Sequence, residues 1–209
     1  MREHEEGLTG QIRALLILGA CDRAGIGQVS TRLFHSIAYF SNALAPVWDL
    51  PALTPDLLKS HGGPYYPQLQ RDLDRLVGRG LANVRDIGYS ANDDGHWRID
   101  ATFRFDPQRG GPVLEACLDF PDERDSYELI LEIALATSSL DIDDVNPTFD
   151  RDASFDDSTL SFGSLLLVGE GNRSARAARR FGDLSQARPS KAEEIQLYVR
   201  HMHRLSRGA

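Results

Sequence analysis

Apolar residues recur at helical spacing along the first part of the chain. They crowd positions 12–18, which predicts a first helix from Thr9 to Asp22 with Thr9 as its N-cap. A second helix is predicted to begin at Ser30, a good N-cap, and to end before Pro46, which cannot continue it. Its buried face carries four apolar residues at helical spacing, namely Leu33, Ile37, Phe40 and Leu44.

Residues 62–81, GGPYYPQLQRDLDRLVGRGL, predict a turn followed by a third helix. Pro67 fits the first helical position, where its missing N–H costs no hydrogen bond, and Gly80 fits the C-cap. The buried stripe of this helix consists of Leu69, Leu73, Leu76 and Val77. A short helix is also predicted upstream of the turn, around Pro55–Ser60, after a proline-containing loop.

Two strand-like stretches directly follow the third helix. LANVRDIGY (81–89) and HWRIDATFRF (96–105) flank SANDDG (90–95), whose Asp94-Gly95 pair is a hairpin turn signal. Three helices followed at once by a hairpin are the layout of a winged helix-turn-helix, in which the hairpin is the wing. The predicted fold class is therefore mainly α (α+β), with an N-terminal winged helix and a helical C-terminal part.

The second half of the chain is predicted to be helical on both sides of an aspartate-rich loop. The helical stretches are 111–120, 122–140, a basic helix that follows a short apolar run within 164–182, and 189–206. Ser190 and Glu193 match a capping box at the start of the last helix. The segment 141–158 carries seven aspartates with little periodicity, which favours a loop or linker. We therefore divide the chain into a winged-helix-like domain, 1–105, and a helical part, 106–209.

The net charge of −8 is unevenly distributed along the sequence. Residues 1–105 carry a net charge of −1, residues 106–168 carry −12, and residues 169–209 carry +5. Like charges repel, so the middle third is a poor candidate for contact with DNA. The basic tail suits either nucleic acid or an acidic protein surface.

Features of the sequence favour a cytoplasmic protein. The longest apolar runs are too short to span a membrane, and the opening MREHEEGLTG lacks the apolar core of a secretory signal. Cys21 and Cys117 lie far apart, in no metal-binding or redox spacing, which suits a reducing compartment.

The polar face of the third helix is the main candidate contact surface. The side chains placed to contact DNA or a protein are Gln68, Gln70, Arg71, Arg75, Arg79 and the wing residue Arg98. The three helix arginines recur every four residues and so share one face. Asp72 and Asp74 on the same helix weaken its positive charge. Contact with DNA, local ion pairs and a protein interface therefore all remain open.

Other motifs in the chain depart from the patterns that they resemble. Asp150, Asp152, Ser154 and Asp156 alternate as in a calcium-binding loop, but Phe155 replaces the required glycine. GEGNRS (169–174) lacks the third glycine of a dinucleotide fingerprint and the lysine of a P-loop. No catalytic, cofactor-binding or metal-ligating set is recognised, so we expect a non-enzymatic protein without cofactor or metal.

Two family resemblances follow from these residues. The pattern YPxL…LxxLxxxGL, from Tyr66 to Leu81, resembles the third helix and first wing strand of winged-helix proteins, including PadR-type regulators. TRLFHSIAYFSNALAPVWDL (31–50) and 62–81 resemble the middle component of ABC-three-component (Lamassu-like) phage-defence systems. The second resemblance implies an accessory subunit that bridges an SMC-like or ABC-type ATPase to an effector.

The functional expectation is thus an accessory subunit of a multi-protein bacterial complex. Its predicted contacts are the α-helical arginine face, the acidic segment 141–157, and an apolar partner helix. The partner-helix residues are Ile195, Tyr198, Val199, Met202 and Leu205. The alternative is a dimeric winged-helix transcription regulator, with the second or the last helix as the dimer contact.

Overall fold

The computed structural model of the protein describes residues 2–52, 57–60, 63–91, 97–152, 154–155, 163, 165–166, 172–184 and 189–208. The described part is mainly helical, with two small antiparallel sheets. The fold class is therefore confirmed at the level of a mainly α (α+β) protein.

The N-terminal part alternates helices with short strands. Its elements are α1 (Arg2–Arg23), β1 (Val29–Ser30), α2 (Thr31–Leu44), a 3-10 helix (Ala45–Trp48), β2 (Leu57–Ser60), β3 (Gly63–Tyr65), α3 (Pro67–Gly78), β4 (Ala82–Ala91) and β5 (Trp97–Phe105). The predicted N-cap of α2 is confirmed, because Ser30 Oγ accepts a hydrogen bond from the Leu33 N–H at 3.1 Å.

The C-terminal part is helical except for one short strand. Its elements are α4 (Gly110–Leu118), α5 (Pro121–Ser138), α6 (Ile142–Asp150), β6 (Leu165–Leu166), α7 (Arg173–Leu184) and α8 (Lys191–Ser206). The capping box predicted for α8 is confirmed, since Ser190 Oγ accepts from the Glu193 N–H and the Glu193 carboxylate accepts from the Ser190 N–H.

One sheet has the strand order β1-β5-β4, with both pairs antiparallel. Val29 lies opposite Phe103, and Ala82 lies opposite Phe105. The predicted strands on either side of the hairpin are confirmed, while residues 92–96, which include the predicted Asp94-Gly95 turn, lie outside the described residues. The second sheet has the order β3-β2-β6.

The helix α3 begins and ends as the sequence predicts. Pro67 is its first residue, and Gly80 follows the end of the helix with φ of +73°. The Gly80 N–H donates to the Val77 carbonyl at 2.9 Å, and the Leu81 N–H donates to the Leu76 carbonyl at 3.0 Å. This pair of bonds needs a left-handed residue at position 80, which glycine adopts without steric cost.

Two predicted elements are wrong. The short helix expected around Pro55–Ser60 is a strand over Leu57–Ser60, because this segment pairs with β3 on one side and β6 on the other. Residues 55 and 56 of that prediction lie outside the described residues. The loop expected at 141–158 contains α6, because Val145 and Phe149 bury one face, with the Phe149 ring centroid 4.5 Å from that of Phe40. The acidic first turn of α6 also favours a helix N-terminus.

The helix α1 begins at Arg2 rather than at the predicted Thr9. The added residues include EHEE, and glutamates are good helix formers that are favoured near a helix N-terminus. From residue 14 onward most of the helix is buried against α3, α4, α5 and β5.

A single cluster of buried apolar side chains draws on elements from both sides of residue 105. The helix α2 lies at its centre, since nearly all of its residues are buried and it packs on β3, α5, α6 and α7. A boundary between residues 105 and 106 thus runs between elements that share one core, and the division into 1–105 and 106–209 stays a prediction. Among the described residues, no helix combines the length and apolar character needed to cross a membrane.

Candidate interaction surfaces

The polar face of α3 is exposed but is engaged in local hydrogen bonds. Arg71 donates to Gln68 Oε1 at 3.1 Å, and Gln70 Nε2 donates to Asp74 Oδ1 at 2.9 Å. Gln70 Oε1 also lies 3.0 Å from His35 Nε2 on α2. The two glutamines predicted to contact bases are therefore bonded within the helix or to α2.

Asp72 is fully buried on the side of α3 that faces α1. Its carboxylate lies 2.6 Å from Arg75 Nη1, and Gln68 Nε2 donates to it at 3.4 Å. A Cβ at Gly10 of α1 would lie only 2.1 Å from Asp72 Oδ2. Arg75 is thus partly neutralised by a buried carboxylate, and α1 and α3 approach closely where Gly10 has no side chain.

The remaining predicted contact residues of this region differ in placement. Arg71 and Arg79 are exposed, and Arg79 also borders the cavity described below. Arg98 is on β5 opposite Ser90, and its side chain lies outside the described residues. With Arg75 paired to Asp72, the exposed face of α3 keeps two arginines and Asp74, a small positive excess for a DNA-reading helix.

The predicted partner helix packs inside its own chain. Ile195, Tyr198, Val199 and Met202 are buried, because α8 lies against α5, α6 and α7. Leu205, in contrast, is 44% exposed. The apolar periodicity of α8 was a correct sign of burial, but the surface that it contacts is this molecule rather than a partner.

The aspartate-rich segment places one carboxylate in the core. Asp152 is 0% exposed and accepts hydrogen bonds from five groups. They are the Tyr39 hydroxyl, the Tyr198 hydroxyl at 2.7 Å, the Ser174 hydroxyl at 2.9 Å, and the Ser154 and Phe155 N–H groups at 3.0 Å each. Residues 39, 152, 154, 155, 174 and 198 are called the Asp152 cluster below.

The Asp152 cluster joins α2, α7 and α8 to the segment after α6. A buried carboxylate is tolerated only when donors replace its lost hydration, and five donors do so here. Among the described residues no group of histidine, cysteine and acidic side chains is arranged to hold a metal ion. Because its hydrogen bonds connect α2, α7 and α8 to Asp152, the cluster is a structural junction between helices. In the sequence, the only sign of this cluster was Ser154, which lies two residues after Asp152.

The basic helices α7 and α8 are partly neutralised by acidic neighbours. Arg179 and Lys191 lie 3.6 and 2.8 Å from the carboxylate of Asp49, and His203 lies 3.0 Å from Asp144. The two exposed pairs to Asp49 contribute little to stability each. The contact between His203 and Asp144 shows that the acidic helix α6 and the basic helix α8 meet within one molecule, as one of the sequence interpretations allowed.

An apolar cavity of about 280 Å³ lies between α1, α3, α4 and α5. Leu15 and Leu76 lie in its wall, and three large apolar side chains that also line it are exposed to solvent. These rim residues are Leu8, Val113 and Phe120, which are 56%, 40% and 66% exposed. Sequence reasoning did not find this feature, because its walls come from four separate helices.

Polar groups lie beside this apolar cavity. Gln11 and Glu123 line it, and Arg13 Nη2 lies 4.0 Å from Glu123 Oε2, too far for a hydrogen bond. Burial lowers the pKa of Arg13, and the nearby Glu123 carboxylate partly offsets that effect. Burial, with Glu123 adding to it, raises the pKa of Cys117, which also lines the cavity.

Buried tyrosine and cysteine side chains predict a loss of stability at alkaline pH. Burial raises the pKa of Cys21 to about 12 and raises the pKa values of Tyr39 and Tyr66 above their usual range. The unfolded chain ionises these groups first, so their stabilising effect is complete below pH ~9 and is lost as the pH rises through 10 to 12.

We expect the free energy of unfolding to fall by up to about 1.4 kcal/mol per pH unit for each such group. Urea titrations between pH 9 and 11.5 measure this slope. Tyr66→Phe should make it shallower, whereas Tyr89→Phe, at an exposed position, is the matched control. An equal slope in wild type and Tyr66→Phe would contradict the prediction.

Comparisons with known proteins identify no relative of this chain. The chain matches no family model, and no curated protein or solved structure matches it. The resemblance of residues 31–50 and 62–81 to ABC-three-component middle subunits, and of Tyr66–Leu81 to winged-helix proteins, therefore stays a prediction from the sequence.

Proposed function

We propose that the protein is a non-enzymatic accessory subunit of a multi-protein bacterial defence complex, in which it bridges an SMC-like or ABC-type ATPase and an effector. The observation that carries this proposal is the apolar cavity with Leu8, Val113 and Phe120 exposed at its rim. Contiguous exposed apolar side chains around a concavity are typical of sites that bind another protein. The family resemblance supplies the kind of partner.

The polar face of α3 supports the same proposal. Its glutamines are bonded to Arg71, Asp74 and His35, and Asp72 partly neutralises Arg75. A DNA-reading helix instead presents unpaired donors and a clear positive excess to the groove. Arginine is also enriched at protein interfaces, so the exposed Arg71 and Arg79 suit a protein contact.

Co-expression tests this function. The protein is produced together with the proteins encoded beside it, which the proposal expects to include an ATPase and an effector, and the mixture is analysed by size-exclusion chromatography with light scattering. We expect one complex of defined stoichiometry, and no shift of duplex DNA by the isolated protein at low salt. Failure to associate with either neighbour, combined with DNA binding, would contradict the proposal.

A dimeric winged-helix regulator is the second candidate, and one observation favours it. The strand order β1-β5-β4, with α3 directly before β4, is compatible with a winged helix over residues 1–105. If the protein is such a regulator, Arg71→Ala should weaken promoter binding by about five- to 100-fold. The matched control is Arg200→Ala on α8, which should leave promoter binding unchanged. Binding measured across a salt series should also fall steeply as salt rises.

A further inference from the structure

Gln11 presents an unused hydrogen-bond acceptor beside the apolar cavity. The side chain is 9% exposed and lines the cavity, and its Nε2 donates to the Gly7 carbonyl at 2.8 Å. That bond fixes the orientation of the amide, since the opposite orientation would place two oxygens together. Gln11 Oε1 has no hydrogen-bond partner among the described residues, and neither has Glu123 Oε2, which belongs to the same cavity lining. A buried acceptor without a partner is unfavourable, which points to a ligand that donates a hydrogen bond there.

The size of the cavity limits what can enter it. Its volume of about 280 Å³ lies just below the range of roughly 300–1,000 Å³ that is typical of small-molecule sites. A helix cannot fit, but one large ring can. Leu15 and Leu76 provide apolar walls for such a ring, with the Gln11 acceptor beside them.

The charges beside the cavity favour a neutral donor over a cation. Glu123 contributes a carboxylate, but the Arg13 guanidinium 4.0 Å away balances that charge, and Arg79 also lines the cavity. An ammonium group would therefore meet no surplus of negative charge. An aromatic ring with a neutral N–H group satisfies the acceptor and matches the apolar walls.

The exposed rim favours a ring that belongs to a protein. Leu8, Val113 and Phe120 lie around the cavity and stay in water when only a small molecule binds. A protein surface would cover them and exclude water from the central ring. Tryptophan is among the residues most enriched as central anchors of interfaces.

We propose that the cavity receives the indole ring of a tryptophan of the partner protein, whose N–H donates to Gln11 Oε1. This proposal rests on the accessory-subunit function. It adds the chemistry of the contact and predicts that an indole without any partner protein already binds in the cavity.

Cys117 provides the readout for the test, because it lines the cavity whereas Cys21 is fully buried. The rate of Cys117 modification by a thiol reagent is measured with increasing indole, N-acetyl-tryptophan amide or benzofuran, which has the shape of indole but no N–H. We expect indole and the tryptophan amide to slow modification. Benzofuran should bind roughly three- to ten-fold more weakly than indole.

Two variants keep the test falsifiable. Gln11→Leu should remove the preference for indole over benzofuran, and Ala116→Phe, at an exposed position in the cavity lining, should abolish protection by all three probes. Equal binding of indole and benzofuran by the wild type, or an unchanged preference in Gln11→Leu, would overturn the role of Gln11. Protection by indole but not by the tryptophan amide would assign the cavity to a free small molecule and overturn the proposal.

The outcome separates this proposal from the function on which it rests. If no probe protects Cys117 but the protein still forms a complex with its neighbours, the tryptophan contact is wrong and the accessory function stands. If the probes bind but no neighbour associates, the accessory function fails and the partner tryptophan fails with it.

Discussion

Replacing Asp152 by alanine should lower the free energy of unfolding by about 3–5 kcal/mol. The carboxylate is fully buried and accepts from five donors, so its loss leaves the hydroxyls of Tyr39, Tyr198 and Ser174 without their acceptor in the core. Each buried polar group that loses its partner costs about 1–3 kcal/mol. The free energy of unfolding of a domain is only about 5–15 kcal/mol, so this one change removes a large share of it.

Urea unfolding followed by circular dichroism measures the effect. Asp143→Ala, an exposed residue of the preceding helix α6, is the matched control and should stay within about 0.5 kcal/mol of the wild type. Combining Asp152→Leu with Tyr39→Phe and Tyr198→Phe should recover part of the loss, because two of the three hydroxyls that donated to Asp152 are gone. A loss below about 1 kcal/mol for Asp152→Ala would show that the cluster is not a structural junction.

Gly10→Ala should destabilise the protein by about 1–3 kcal/mol, although alanine is the better helix former. The new Cβ would lie 2.1 Å from Asp72 Oδ2 and 2.9 Å from its Cγ, and Asp72 is short, buried and paired to Arg75. The contact between α1 and α3 must therefore open, or the carboxylate must leave its ion pair.

The sign of this effect should reverse when Asp72 is removed. In an Asp72→Ala background the methyl group has room, so Gly10→Ala should stabilise by up to about 1 kcal/mol through helix propensity. Gly7→Ala is the matched control, since the nearest atom to its Cβ would be Arg75 Nη1 at 3.9 Å, an ordinary contact. Stabilisation by Gly10→Ala in the wild-type background would contradict the observed approach of the two helices.

The helices that the sequence predicted well are those with local signals. The helix start and stop signals at Ser30, Pro67, Gly80 and Ser190 act within a few residues, so they can be recognised without the fold. The strand β2 was missed although its pairing with Gly63–Tyr65 is local, whereas its second pairing, with Leu165–Leu166, is long-range. Helix α6 was missed because its aspartates suggested a loop, while its few apolar residues bury one face only in the folded protein.

The candidate sites could be predicted less well than the helices. Tyr39 and Asp152 are 113 residues apart, and Gln11 and Glu123 meet at one cavity although they lie on different helices. Such contacts depend on tertiary packing, which periodicity does not encode. The arginines of α3 were identified by spacing, but spacing could not show that Asp72 would be buried beside Arg75.

The most direct test of whether the protein acts through the cavity rim is to measure how strongly rim variants bind the partner protein. Phe120→Glu and Val113→Glu place a charge on the exposed apolar rim, and Ile87→Glu changes an equally exposed residue on β4 as a control. The affinity for the co-expressed ATPase or effector is measured by titration calorimetry. We expect both rim variants to bind at least about ten-fold more weakly and Ile87→Glu to bind like the wild type. Wild-type affinity in both rim variants would contradict the account.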